Sequence, residues 1–411
     1  MIAACESKNL QLYCSLMPSQ KFFFLSSVVV LVALVGFVWW WWQPSTFFSQ
    51  QLNQSGQPVS PAPSQTTVPL RLETVVSGLD VPWSIVFTAP ERMLVTERPG
   101  RVREVVNGRL LEEPLRVFAE VSNRSEEGLM GMTLDPDYDR NRFVYLCLAY
   151  QTSTGEIVDR VIRVKDGGGS LTDDQVLIDH IPAAANHAGC RLRFGPDGKL
   201  YISTGDASDR RLPQDLTSLA GKILRLNADG SIPSDNPFPN SAVFSYGHRN
   251  PQGFDWHPVS GMLIATEHGP SGNDGPGGGD EINWIQAGQN YGWPEVSHQR
   301  SQAGMVDPLL VFTPAVAPAS GMFYRSTVLP QFTHTFLFGM LRGEGIMQLV
   351  WDEQGQVSHY QPLAEVAVGR VRDVVEGPDG FIYFTTSNRD GRGRIRQGDD
   401  HILRLLPEQS Q

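Results

Sequence analysis

The sequence predicts an all-β chain: a six-bladed β-propeller, preceded by a transmembrane helix and a disordered linker. Three observations carry this. A turn rich in Pro, Asp and Gly, followed by a short run of alternating large residues, recurs six times after about Leu70. No segment between Arg71 and Pro407 shows a long amphipathic helical pattern. Phe22 to Trp42 is uncharged and almost wholly apolar.

Residues 1–21 are read as a short cytoplasmic N-terminus. The 21 residues 22–42 are read as a signal anchor. As a helix they span a hydrocarbon core of ~30 Å at about 1.5 Å per residue. Trp39 to Trp42 suit an interfacial aromatic belt. A cleaved signal peptide is the competing reading, but its apolar region would be unusually long. Lys8 and Lys21 precede the span, and no charge follows it until Arg71. That bias keeps the N-terminus inside and exports the rest, to the periplasm or the cell exterior. Residues 43–69 are rich in Gln, Ser and Pro without charge, the composition of a flexible tether.

The propeller is expected over 70–406. Its first repeat is Ala89-Pro90-Glu91-Arg92-Met93-Leu94-Val95-Thr96-Glu97. The second is Asp135-Pro136-Asp137-Tyr138, leading to Phe143-Val144-Tyr145-Leu146. The third and sixth are the clearest: Gly195-Pro196-Asp197-Gly198 before Lys199-Leu200-Tyr201-Ile202, and Gly377-Pro378-Asp379-Gly380 before Phe381-Ile382-Tyr383-Phe384. His257-Pro258-Val259-Ser260-Gly261 opens the fourth, and Thr335 to Gly339, after Pro330, is a weaker fifth. Asp-Gly flanked by β-formers is a hairpin signal. A hairpin repeated every several dozen residues cannot bury its faces alone and implies radial stacking, with room for four strands per period. A β-sandwich with a second domain is the alternative, but no linker divides the region.

Net charge is −11, with no basic tract, which argues against nucleic acid as partner. The four cysteines include no Cys-x-x-Cys pair, so a structural zinc site is not indicated. Cys147 and Cys190 are either one disulfide in an exported domain or two separate buried thiols.

The segment Gly247-His248-Arg249-Asn250-Pro251-Gln252-Gly253, with Glu267-His268-Gly269-Pro270 soon after, is the richest in chemistry. A guanidinium fork suits a carboxylated or quinonoid ligand, and oxygens crowded on a flexible loop suit calcium. Gly275 to Gly279 is no dinucleotide fingerprint, since no helical pattern follows. Arg370 and Arg372 alternate on a predicted strand and so share a face, which an anion between them would stabilise.

Several stretches together resemble a known family. They include Gly78-Leu79-Asp80-Val81-Pro82-Trp83, Thr96-Glu97-Arg98-Pro99-Gly100, Gly128-Leu129-Met130-Gly131 and Asn186-His187-Ala188-Gly189-Cys190-Arg191-Leu192. The 247–253 segment, Asp280-Glu281-Ile282-Asn283, Asn290-Tyr291-Gly292-Trp293-Pro294 and Arg370-Val371-Arg372-Asp373 continue the series. In this order and spacing the chain is similar to the glucose/sorbosone dehydrogenases, the soluble glucose and aldose sugar dehydrogenase group. The resemblance implies a six-bladed propeller that uses pyrroloquinoline quinone (PQQ) and calcium to oxidise the C1 hydroxyl of an aldose to a lactone.

The resemblance makes His187 the catalytic base, although a lone histidine is more often structural. It makes Arg249, Asn250, Arg342, Arg370 and Arg372 cofactor contacts, with Arg342 where several members have Lys. Glu126, also placed by the resemblance at the cofactor, falls where the best-known members have a Gln near cofactor and sugar, and Asn186 where some carry an Asp. The carbonyls of Gly269 and Pro270 match the calcium that bridges to the quinone. Glu281 and Tyr291 match a second, structural calcium. Read without the family, Arg249 is a turn clamp paired to a nearby carboxylate, and the 269–281 stretch is a surface loop. The competing function is a non-catalytic binding module related to the Hedgehog-interacting proteins. A calcium-using lactonase would need more carboxylates converging on one central metal. The expected partners are an aldose and an unspecified electron acceptor, with the membrane reached through the N-terminal helix.

Overall fold

Each predicted turn sits between the innermost and second strands of one sheet. The second strands are Arg92–Glu97, Phe143–Gln151, Leu200–Thr204, Leu263–Glu267, Phe336–Met340 and Ile382–Thr386. Four of them, LYIST, LIATE, FLFGM and IYFTT, are buried along their whole length. A strand hydrogen-bonded on both edges and covered on both faces loses the polar alternation of a half-solvated one.

The computed structural model describes residues 68–352 and 355–408. The expected membrane span and the linker up to residue 67 lie outside the described residues. Among the described residues no helix is long and apolar enough to cross a membrane. The α-helix Tyr138–Asn141 is a single turn, as the missing helical periodicity foretold.

Six antiparallel sheets form six blades, five of four strands and one of five. Their innermost strands are Pro82–Ala89, Leu129–Leu134, Leu192–Phe194, Pro251–Trp256, Pro318–Phe323 and Val371–Glu376. The sixth blade closes the ring. Its outer strand is Leu70–Val76, from the start of the domain, antiparallel to Ile402–Pro407 with Leu70 opposite Pro407 and Thr74 opposite Leu403. The cores lie between blades: Met130, Tyr145, Leu192 and Ile202 belong to one cluster, and Met322, Leu337, Val374 and Phe384 to another.

This topology positions the site. In an up-and-down sheet every innermost strand starts on the same face of the ring. The segment joining second to third strand returns to that face. The residues before each innermost strand, and those after each second strand, therefore converge at one end of the axis. Cys147 and Cys190 form a disulfide, which joins the second strand of blade two to the segment leading into blade three. The thiol alternative is thereby excluded.

Candidate active site

A cleft of about 890 Å³ opens at that end of the axis. Much of its lining comes from the two classes of segment just described: Glu126, His187, Arg249, Ala317 and Arg370 lead into innermost strands, Trp83 sits at the start of another, and Arg98, Asp206, His268, Arg342 and Asp390 follow second strands. Seven arginines (98, 210, 249, 342, 370, 372 and 392) line it against five carboxylates (126, 206, 274, 280 and 390). In a chain of net charge −11 this is a local reversal of sign, suited to an anion.

His187 lies at one wall, its side chain 13 % exposed. Its Nδ1 meets Asp206 Oδ1 at 2.6 Å. Asp206 is held in turn: Trp293 Nε1 donates to its Oδ2 at 2.8 Å, and the Ser208 N–H to its Oδ1 at 2.8 Å. An imidazole whose Nδ1 is held by a carboxylate offers Nε2 as its remaining proton acceptor. The His187 N–H donates to Glu126 Oε2 at 2.7 Å. Burial pushes the Glu126 carboxyl up, but Arg392, His268 and the His187 N–H outweigh it and hold it at about 2.

The arginines divide into two kinds. Arg249 donates to Asp274 Oδ2 at 2.7 Å, to the His268 carbonyl at 3.2 Å and to Ser271 Oγ at 3.2 Å. The turn clamp is thus real, and the same side chain lines the cleft. Arg370 donates twice to Asp390 Oδ2, at 2.8 and 2.7 Å, and to the Leu341 carbonyl at 2.8 Å. Arg372 is different. Its Nη1 donates to Gln252 Oε1 at 3.0 Å, its Nε is buried without a partner, and among the described residues no carboxylate reaches ion-pair distance. Burial, with Arg370 and Arg98 nearby, pushes its guanidinium down to about 9. Arg342 is exposed on the rim.

The remaining expected residues sit at or behind the wall. Asn250 is fully buried; its Oδ1 accepts from the Gly189 N–H at 3.2 Å while its Nδ2 has no partner. Gly269 and Pro270 line the cleft, with the Gly269 N–H on Asp280 Oδ1 at 2.8 Å and the Pro270 carbonyl accepting from Gly278 at 3.2 Å. Glu281 and Tyr291 are not among the lining residues. Glu281 pairs in register with Glu267 on the adjacent strand. Burial first, then Glu267 and Asp280, pushes its carboxyl well up. The Tyr291 hydroxyl donates to the Trp284 carbonyl at 2.5 Å, and its ring stacks on His248 at 4.6 Å.

The profile of the Glucose / Sorbosone dehydrogenase family matches residues 79–403. The chain belongs to the glucose/sorbosone dehydrogenase family. Aldose sugar dehydrogenase YliI of Escherichia coli K12 is 31 % identical over 78 % of this chain and 91 % of its own length. A crystal structure from Thermus thermophilus, whose own assignment as an oxidoreductase (glucose dehydrogenase) is provisional, is 42 % identical with a TM-score of 0.75, covering 82 % of this chain and 100 % of the other. The PQQ-bound aldose sugar dehydrogenase of Streptomyces coelicolor is 33 % identical with a TM-score of 0.71, covering 82 % and 98 %. The mouse and human Hedgehog-interacting proteins are weaker matches, 28 % identical over 46 % of this chain and 32 % of theirs.

The site of this glucose/sorbosone dehydrogenase relative fits the groups its family implies. A buried guanidinium without a carboxylate and a buried amide donor without an acceptor both suit a polycarboxylate such as PQQ. Glu281 and Glu267, adjacent carboxylates with no Lys or Arg side chain against either among the described residues, are hard oxygens of the kind calcium takes. Reading the sequence alone missed three residues. Asp206 directly follows Thr204-Gly205, Arg98 stands inside Thr96-Glu97-Arg98-Pro99, and Arg392 lies in a Gly/Arg-rich loop. The first two were findable, because each lies within two residues of the end of a second strand.

Proposed function

We propose that this protein is a PQQ-dependent aldose dehydrogenase, oxidising the C1 hydroxyl of an aldose to the lactone with the quinone as hydride acceptor. The observation that carries it is the joint presence, in one cleft, of a carboxylate-held histidine and a buried guanidinium with no carboxylate at ion-pair distance among the described residues. When bound, the quinone supplies an electrophilic carbonyl and calcium supplies positive charge beside it.

The chain's own residues do the rest. His187 Nε2 takes the proton of the C1 hydroxyl. Asp206 fixes the tautomer and stabilises the imidazolium that forms. Arg372, Arg342 and Asn250 Nδ2 would hold the anionic cofactor, and Arg249 and Arg370 would shape the wall around it. The carbonyls of Gly269 and Pro270 would hold one calcium, and Glu281 with the Tyr291 carbonyl a second.

The uncharged 22–42 segment supports an anchor that holds the domain on the exported side, and the disulfide suits such an oxidising compartment.

The test is reconstitution. Purified apoprotein given PQQ and calcium should reduce a dye acceptor with at least one of a panel of aldoses, and lose this on chelation. A protein that binds quinone but oxidises no aldose would favour the binding-module reading instead.

A further inference from the structure

The cleft contains a carboxylate that its proposed ligand should repel. Glu126 lines it, its side chain only 18 % exposed, beside His187. One side chain forms an ion pair with it. Arg392 Nη1 donates to Glu126 Oε1 at 2.5 Å, and Arg392 Nη2 donates to Asn186 Oδ1 at 2.7 Å and Ser125 Oγ at 3.3 Å. Arg392 lies between the second and third strands of blade six. Its partners lie in the segments leading into blades two and three. The contact therefore crosses the mouth of the cleft.

We propose that Arg392 is a positioning residue of this site. It neutralises Glu126 and orients Asn186, so that the corner holding His187 tolerates an anionic cofactor. This rests on the quinone reading above. Arg392 is itself half exposed, and an exposed ion pair contributes little to stability, so its consequence lies in what it does to Glu126.

The geometry is built rather than incidental. The Arg392 N–H donates to Asp390 Oδ1 at 2.9 Å, while Asp390 Oδ2 accepts from Arg370. A continuous chain of bonds thus runs from Arg370 through Asp390, Arg392 and Glu126 to the His187 N–H. The next residue, Gly393, has no room for a side chain: a Cβ there would lie 2.5 Å from the Asn388 carbonyl oxygen and 2.8 Å from Arg370 Cδ. The other charged or titratable groups facing Glu126 are Arg98, Arg372, His187 and His268. Among the described residues none of these makes a side-chain hydrogen bond to the carboxylate, so Arg392 is its ion-pair partner.

The test is a double-substitution cycle read by calorimetry with PQQ and calcium. Arg392→Gln should weaken quinone binding about tenfold, the size of one partly screened charge left near another. Adding Glu126→Gln should restore binding to within about threefold of wild type, which a merely structural defect would not allow. Arg392→Lys should retain most of the affinity. A carbon-13 carboxyl signal, assigned through Glu126→Gln in apoprotein, should stay ionised across about pH 4–7 in wild type and protonate within that window in Arg392→Gln. Wild-type affinity in Arg392→Gln, or a loss that Glu126→Gln does not repair, would overturn the assignment. If wild type binds no quinone the functional reading fails separately. The carboxyl titration then decides the role of Arg392, and an unchanged profile in Arg392→Gln rejects it.

Discussion

Arg372 sets folding against ligand binding. Its folded-state value is pushed down to about 9, so the folded protein binds that proton less tightly than the unfolded chain does. The buried charge therefore opposes folding in full at neutral pH, and the opposition is relieved only above about 9, toward the unfolded value. An anionic cofactor removes the conflict. Arg372→Met should accordingly leave the thermal midpoint of the apoprotein unchanged or higher, yet weaken quinone binding by ~2–5 kcal/mol. Scanning calorimetry and titration calorimetry on the same samples check both halves; a lower midpoint with intact affinity would make Arg372 a structural residue. At this scale much of the site was legible. Arg-x-Arg stands out as a pattern on one strand face, whereas His187 is singled out by the family resemblance and not by its residue type. What was hidden was pairing. Whether Arg249 is clamped by Asp274, Arg370 neutralised by Asp390 or His187 held by Asp206 depends on contacts 19 to 25 residues away, which no local pattern encodes.

A loop leading away from a strand supports the reacting corner. The segment after Leu200–Thr204 carries Gly205 and Asp206, and it is pinned at its far end by Lys222 Nζ, which donates to the carbonyls of Leu212, Pro213 and Ala220 at 2.8, 3.0 and 2.7 Å. Gly205 lies against the His187 backbone: a Cβ there would stand 1.7 Å from the His187 carbonyl oxygen. Gly205→Ala should thus displace His187, costing about 1–3 kcal/mol of stability and lowering kcat more than it raises KM. A variant with wild-type midpoint and kcat would show that the contact does not hold the histidine. The elements themselves were the most legible part of the chain. All six copies fell between first and second strands, three of them with Pro-Asp in the turn, because a tight reversal there favours such turn formers. The loops on the cleft side carry no such repeat, since each is shaped by its own ligand-facing work.

Over the whole molecule the ring closes through a strand far in sequence from its partner. Leu70, Leu72 and Val76 cover the sixth blade, and removing them would expose Leu403 and Leu405. Deleting 1–67 should leave a folded domain that still binds quinone, whereas deleting 1–77 should abolish cooperative unfolding. Calorimetry of the two truncations reads this directly, and a cooperative transition in the longer deletion would contradict closure by that strand. The sequence could announce such a closure only through the phase of the repeat, which leaves the last blade one strand short. The charge reversal at the cleft was harder to see, because the chain is acidic as a whole and its arginines are scattered along it. The proposed role of His187, held by Asp206, is to take the sugar's proton in a quinone-binding cleft. Its most direct measurement is single-turnover reduction of bound PQQ by an aldose in wild type, His187→Ala and Asp206→Asn, with quinone affinity measured alongside. Affinity should be near-equal in all three, and rates should be lower by about 10²–10⁴-fold in both variants. Equal rates in wild type and His187→Ala would contradict that role.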